Sequence, residues 1–144
     1  MIAVDTNILV YSHRTEVIWH TKATMSIRTI AESGSRWAIP WPCIHEFLAV
    51  VTNRKIHERP TPMTLAFSQI RQWLSSPDVV LLNEGAHHLD ELETIAVDAN
   101  MSGGKIHDAR IAAICLQHGV TELWTADRDF TRFPKLKTRN PLVS

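Results

Sequence analysis

A carboxylate interrupts the first apolar run of this 144-residue chain: Asp5, followed by Thr6 and Asn7, divides the aliphatic residues between Ile2 and Val10. An unpaired charge in an apolar interior is costly, or is neutralised by a shifted pKa. Asp5 therefore belongs where a buried strand opens onto a site. Other acids stand at comparable exits. Glu46 lies in Pro42-Cys43-Ile44-His45-Glu46-Phe47-Leu48, Asp108 in Gly103-Gly104-Lys105-Ile106-His107-Asp108-Ala109, and Asp127 in Thr125-Ala126-Asp127-Arg128-Asp129. Carboxylates that converge repel one another and stay ionised together only beside cations. Oxygen ligands without clustered Cys or His favour Mg2+ or Mn2+ over zinc. A hard divalent ion beside a basic surface suits phosphodiester hydrolysis, where it lowers the pKa of water and stabilises the pentacovalent transition state.

The acids after Asp5 also have simpler roles open to them. At 100° per residue, Glu46 points roughly opposite the stripe of Ile44, Phe47, Leu48 and Val51, where a solvated first-turn acid is favoured by the helix dipole. Asp108 starts a small-residue helix and suits a cap. Of Asp127 and Asp129, one suits a ligand and the other a cap. The small residues Ala109, Ala112 and Ala113 allow their helix close to a sheet, which would bring Asp108 near Asp5.

The elements that position these acids follow from periodicity. Residues 2 to 5 read as a short strand, 19 to 33 as a helix stopped by Gly34, and Trp37 to Pro40 as a second strand. Pro42 opens a helix to about Arg54, where its missing N–H costs nothing. Thr61-Pro62 starts another, with Ala66, Phe67, Ile70, Trp73 and Leu74 on one side. Val79 to Leu82 is an apolar strand. Residues 86 to 100 form a helix with Leu89, Leu92, Ala96 and Ala99 inward, and Ser102-Gly103-Gly104 breaks it. Ile106 to His118 is a helix closed by Gly119. Glu122 to Thr125 is a fourth strand, and Leu136 to Thr138 suits a fifth. Short strands alternating with helices imply an α/β fold, a parallel sheet covered on both faces. Ligands of such sheets bind beyond the carboxyl ends of the strands, where Asp5 and Asp127 both fall.

Bulk properties agree with one domain over residues 1–144, with 44% apolar and 21% charged residues. No run is long enough for a membrane span, and the N-terminus lacks a basic leader segment. Cys43 and Cys115 read as reduced core residues, so a cytoplasmic protein is expected. The formal net charge is zero but unevenly spread: between Arg71 and Lys105 there are six acids and no Lys or Arg. The clusters Arg54-Lys55-Ile56-His57-Glu58-Arg59 and Arg128, Arg132, Lys135, Lys137, Arg139 fit a polyanion surface.

Taken in order, Val4-Asp5-Thr6-Asn7, then Glu46, then His107-Asp108-Ala109, then Thr125-Ala126-Asp127-Arg128-Asp129-Phe130 resembles the PIN-domain ribonucleases, most of all the VapC-type toxins of bacterial toxin–antitoxin pairs. The resemblance spans essentially the whole chain. It implies a three-layer α/β/α sandwich around a parallel sheet of about five short strands. It implies Asp5, Glu46, Asp108 and Asp127 as an acidic quartet, with Asp5 and Asp108 as direct Mg2+ ligands and Glu46 and Asp127 serving a second ion or positioning water. Thr6 would hydrogen-bond within the site, and Asp129 is an accessory candidate. An RNA substrate, a small cognate antitoxin whose tail blocks the site, and a homodimer are implied as partners. Two rivals stand against a toxin endoribonuclease. A metal-dependent phosphatase with an Asp nucleophile wants a second Asp where this chain has Asn7. A non-catalytic PIN-like scaffold binding RNA or protein has no reason to keep four mutually repelling acids.

Overall fold

The computed structural model describes residues 1–143. Its chain order is β1 (Ile2–Val4), α1 (Thr6–His13), α2 (His20–Ala31), β2 (Trp37–Pro40), α3 (Trp41–Val51), α4 (Met63–Leu74), β3 (Val79–Leu82), α5 (His88–Asp98), α6 (Ile106–Gln117), β4 (Glu122–Trp124) and β5 (Thr138–Arg139), with 3-10 turns at Gly103–Lys105 and Arg128–Arg132. The strands form one parallel sheet in the order β3-β2-β1-β4-β5. Parallel neighbours need crossovers, and right-handed crossovers fix their side. From β1 the chain steps outward twice, through α1–α2 and α3–α4. It then returns past β1 to β4 through α5–α6, which must therefore cover the opposite face. The packing agrees: α1 lies against α2 and α3, α3 against α4, and α5 against α6. The result is the three-layer sandwich.

The direction of strand addition reverses between β1 and β4, whose register pairs Val4 with Trp124. Beyond the carboxyl ends of such a pair the following segments diverge and leave a crevice. Asp5 and the Thr125–Asp129 segment open into it.

The core is dense around β2. Trp37, Ala38 and Ile39 are fully buried, and the Trp37 indole N–H donates to Ser76 Oγ at 3.1 Å. Phe47 of α3 meets Trp73 and His13 edge-on, at centroid distances of 4.9 and 5.3 Å. The edge strands are short, and β5 has two residues, which limits unpaired edge. Gly34 and Gly119 take φ of +77° and +70° just past α2 and α6, a conformation open to glycine at little cost.

Four sequence expectations need correction. The first strand stops at Val4, and the run Thr6 to His13 is a helix. Its aliphatic residues Ile8, Leu9 and Val10 are buried and resemble a continuing strand by composition. Asp5 caps the helix by accepting the Thr6 N–H at 2.8 Å, and that cap decides the conformation. On α4, Ala66, Ile70 and Trp73 face inward, but Phe67 and Leu74 are exposed. On α5, Leu89 is exposed; Leu92, Ala96 and Ala99 pack against the core together with Ile95. The fifth strand begins two residues later than expected, at Thr138, because Leu136 is buried as a side chain before its backbone joins the sheet.

Ala109, Ala112 and Ala113 are all fully buried, so α6 approaches its neighbours with no room for larger side chains. Ala112→Leu is expected to overpack this contact and cost about 1–3 kcal/mol. A lower midpoint in urea with an unchanged slope is the measurement that shows it.

No helix among the described residues is long and apolar enough to cross a membrane.

Candidate active site

Asp5 sits at the end of the central strand and is 4% exposed. Four donors surround its carboxylate. The Thr6 N–H at 2.8 Å and the Cys43 thiol at 3.6 Å reach Oδ1; the Thr125 hydroxyl at 2.7 Å and the Asn7 amide at 3.3 Å reach Oδ2. These contacts do not fully offset desolvation. Burial raises the carboxyl from 3.8 to about 6, against the hydrogen bonds of Thr125 and Thr6, and the charge of Glu46 adds to the rise. Burial likewise holds the Cys43 thiol well above its ordinary value, so it serves as a neutral donor.

Glu46 is half-buried and accepts the Thr6 hydroxyl on Oε2 at 2.7 Å. It is not opposite the apolar stripe of α3, as its spacing suggested. Cys43 is fully buried while Leu48 is only partly so, which rotates the inward face toward residues 43 and 47. Glu46 therefore flanks that face and looks at α1. Thr6→Val removes the donor that orients Glu46 while keeping the side-chain shape. The RNA cleavage that the resemblance implies is expected to fall about tenfold, with Thr6→Ser restoring it and the thermal midpoint little changed; a kcat comparison of the three proteins checks this.

Asp108 is the third residue of α6, whose first turn has no side-chain cap. Its carboxylate instead meets those of Asp127 and Asp129, one oxygen from each lying within 4.8 Å of the others. Asp127 is both a member of this group and the cap of the following 3-10 turn, accepting the Asp129 N–H at 2.9 Å. Burial, then the charge of Asp127, raises the Asp108 carboxyl, and Lys105 offsets part of that. Asp129 forms an ion pair with Lys105, which lowers its carboxyl.

Asp5, Thr6, Glu46, Asp108 and Asp127 line one cleft of about 290 Å³, continued by Val10, Tyr11 and Val50 between α1 and α3. All four acids of the expected quartet thus face a common space. Burial first, and neighbouring acids second, make the carboxyls of Asp5 and Asp108 resist ionisation. An all-oxygen donor set with a deficit of positive charge fits a hard divalent cation.

Sequence reading missed the ties between the start of α1 and the segment after β4. Asn7 donates to Thr125 Oγ1 at 3.2 Å and accepts the Ala126 N–H at 3.1 Å, and Thr125 Oγ1 also accepts the Asp127 N–H at 3.0 Å. Asn7 and Thr125 thereby fix the exit of β1 to the exit of β4. The signal available was two polar residues immediately beside the acids. A larger cleft, about 670 Å³, lies at the far end of α1, but its buried Arg14 is satisfied by Glu16, the Arg59 carbonyl and Thr61. It braces the α3–α4 connection.

Comparisons with known proteins agree with this fold. A family model described as PIN domain matches residues 2–136. Ribonuclease VapC43 of Mycobacterium tuberculosis (strain ATCC 25618 / H37Rv) is 33% identical over 142 residues, covering 99% of this chain and 96% of that protein. Among solved structures, VapC20 of Mycobacterium tuberculosis, a sarcin-ricin loop cleaving toxin, matches with a TM-score of 0.67 at 19% identity, over 95% of this chain and 99% of that one. A toxin–antitoxin complex from Klebsiella pneumoniae matches with a TM-score of 0.63 at 17% identity, over 98% of both chains. At those identities the two structures speak for the fold.

Proposed function

The chain belongs to the PIN-domain family, and from that membership we propose that residues 1–144 form one domain acting as a Mg2+-dependent endoribonuclease, the toxin of a type II toxin–antitoxin pair. Mn2+ is the alternative ion. The observation that carries the reading is the convergence of carboxylates at the β1–β4 crevice: Asp108 and Asp127 in a cluster, with Asp5 and Glu46 on the same cleft.

In this reading Asp5 and Asp108 would hold the cation, with Glu46 and Asp127 serving a second ion or positioning water. A divalent ion held there would neutralise the acids, lower the pKa of a water and stabilise charge on the phosphoryl oxygens. The protein's own groups do the rest. Thr6 occupies Glu46 Oε2, which leaves Oε1 to orient the attacking water and take its proton. Asn7 and Thr125 keep Asp5 and Asp127 in fixed relation, so little reorganisation is needed as charge develops. The exposed Arg54, Lys55 and Arg59 on one side, and Arg128, Arg132 and Lys135 on another, supply the basic field that draws in a polyanion.

The fold likeness to a toxin–antitoxin complex and the VapC relationship support a small antitoxin as partner and RNA as substrate. A homodimer and a cytoplasmic location belong to the same reading. The test is brief induction of the protein in bacterial cells followed by mapping of RNA 5′ ends. Discrete new ends together with growth arrest are expected. The absence of both new RNA ends in cells and RNA cleavage by the purified protein with Mg2+ would reject the assignment.

A further inference from the structure

Lys105 is a cation already aimed at the acids. It ends the Gly103–Lys105 turn, three residues before Asp108, and its ammonium pairs with Asp129 Oδ2 while its field also reaches Asp108 and Asp127. Gly103 takes φ of +58°, and a side chain at Gly104 would meet nothing within 4 Å, so an open glycine loop delivers the lysine. An ordinary exposed ion pair contributes little to stability. This one differs because its acid has a competing partner. The oxygens of Asp108, Asp127 and Asp129 are close enough that a small adjustment would let all three share one octahedral ion. Asp129 nevertheless turns to the lysine, while its backbone is pinned by the hydrogen bond to Asp127 Oδ1. It is not among the residues lining the cleft, whereas Asp5, Glu46, Asp108 and Asp127 are.

We propose that Lys105 holds Asp129 out of the cation's coordination shell and so keeps the ion at the cleft acids, beside Asp5 and Glu46. The proposal rests on the metal-site reading given above. Without the lysine, Asp129 becomes a third carboxylate on the exposed side of the cluster. The ion is then held more tightly and drawn away from Glu46. Lys105 is in this sense a positioning residue that sets both affinity and placement.

The test is Mn2+ titration of the purified full-length protein by calorimetry, with kcat and KM for RNA cleavage measured alongside. Lys105→Gln is expected to tighten Mn2+ binding about tenfold, the scale on which neighbours of metal ligands act, and to lower kcat. In the wild-type background Asp129→Asn should change Kd by no more than about twofold. In the double variant the tenfold gain should vanish. A gain that persists in the double variant would show simple charge repulsion by Lys105 and overturn the proposal. So would an unchanged Kd with a raised KM, which would make Lys105 a substrate contact. If wild type binds Mn2+ and Lys105→Gln binds it identically, only the lysine assignment fails. If wild type binds none, the site reading falls and the proposal with it.

Discussion

Asp5→Asn is expected to reduce RNA cleavage at least about a thousandfold in kcat/KM, because it removes a charged ligand from the centre of the site. The same substitution should flatten the pH dependence of metal-free stability. In the fold the Asp5 carboxyl titrates at about 6, against 3.8 when free of its surroundings. A carboxyl whose folded pKa lies above its unfolded value contributes stability that is complete below about pH 3.8 and is lost as pH rises through about 6. The unfolded chain releases this proton first, so deprotonation favours unfolding across that window. The loss amounts to about 3 kcal/mol for this group. Urea unfolding in chelator should therefore show wild type weakening from pH 4 to pH 7, with most of that fall absent in Asp5→Asn. Asparagine keeps an oxygen for the Thr6 N–H and carries no charge to desolvate. A variant that loses cleavage because it is unfolded would instead have a lower midpoint at every pH. Stability sacrificed at a functional carboxylate is the pattern expected of a site built for a cation.

Removal of divalent metal is expected to have the second large effect. Chelation should abolish cleavage, and either Mg2+ or Mn2+ should restore it. Binding stabilises the native state by mass action, about 2.7 kcal/mol when the free ion is at a hundred times Kd. The stabilisation should grow with pH, since the ion requires deprotonated ligands and both Asp5 and Asp108 resist ionisation without it. Thermal midpoints with and without Mn2+ should therefore nearly coincide at pH 5 and separate clearly by pH 7.5. Cleavage that persists in chelator, or a metal increment independent of pH, would mean that these carboxyls do not hold the ion.

Most strands were legible because their apolar runs are short and bounded by turn residues. Trp37–Pro40 and Val79–Leu82 fall where periodicity puts them. Helix α1 was not legible by composition, since a buried aliphatic run suits either state, and only the cap at Asp5 separates them. The exposed Leu89, Phe67 and Leu74 mark the limit of a stripe argument, because a helix at the surface of a layer buries a narrower face than its apolar residues could cover. At the site, the acids were identifiable from position at strand exits. Their partners were not: Thr125 and Asn7 meet across the sheet from segments nearly the length of the chain apart, and sequence spacing carries no record of that contact. Glu46 was placed on the wrong face for a related reason. The inward side of α3 is set by Cys43 against Asp5, a contact between two elements.

The cleft acids are proposed to hold the divalent cation on which cleavage depends. Calorimetric titration of Mn2+ at pH 7.5 tests it most directly, with wild type, Asp5→Asn and Asp108→Asn compared at equal folded concentration. Saturable binding by wild type and its loss in both variants are expected. Binding undiminished in both, or absent from correctly folded wild type, would contradict it.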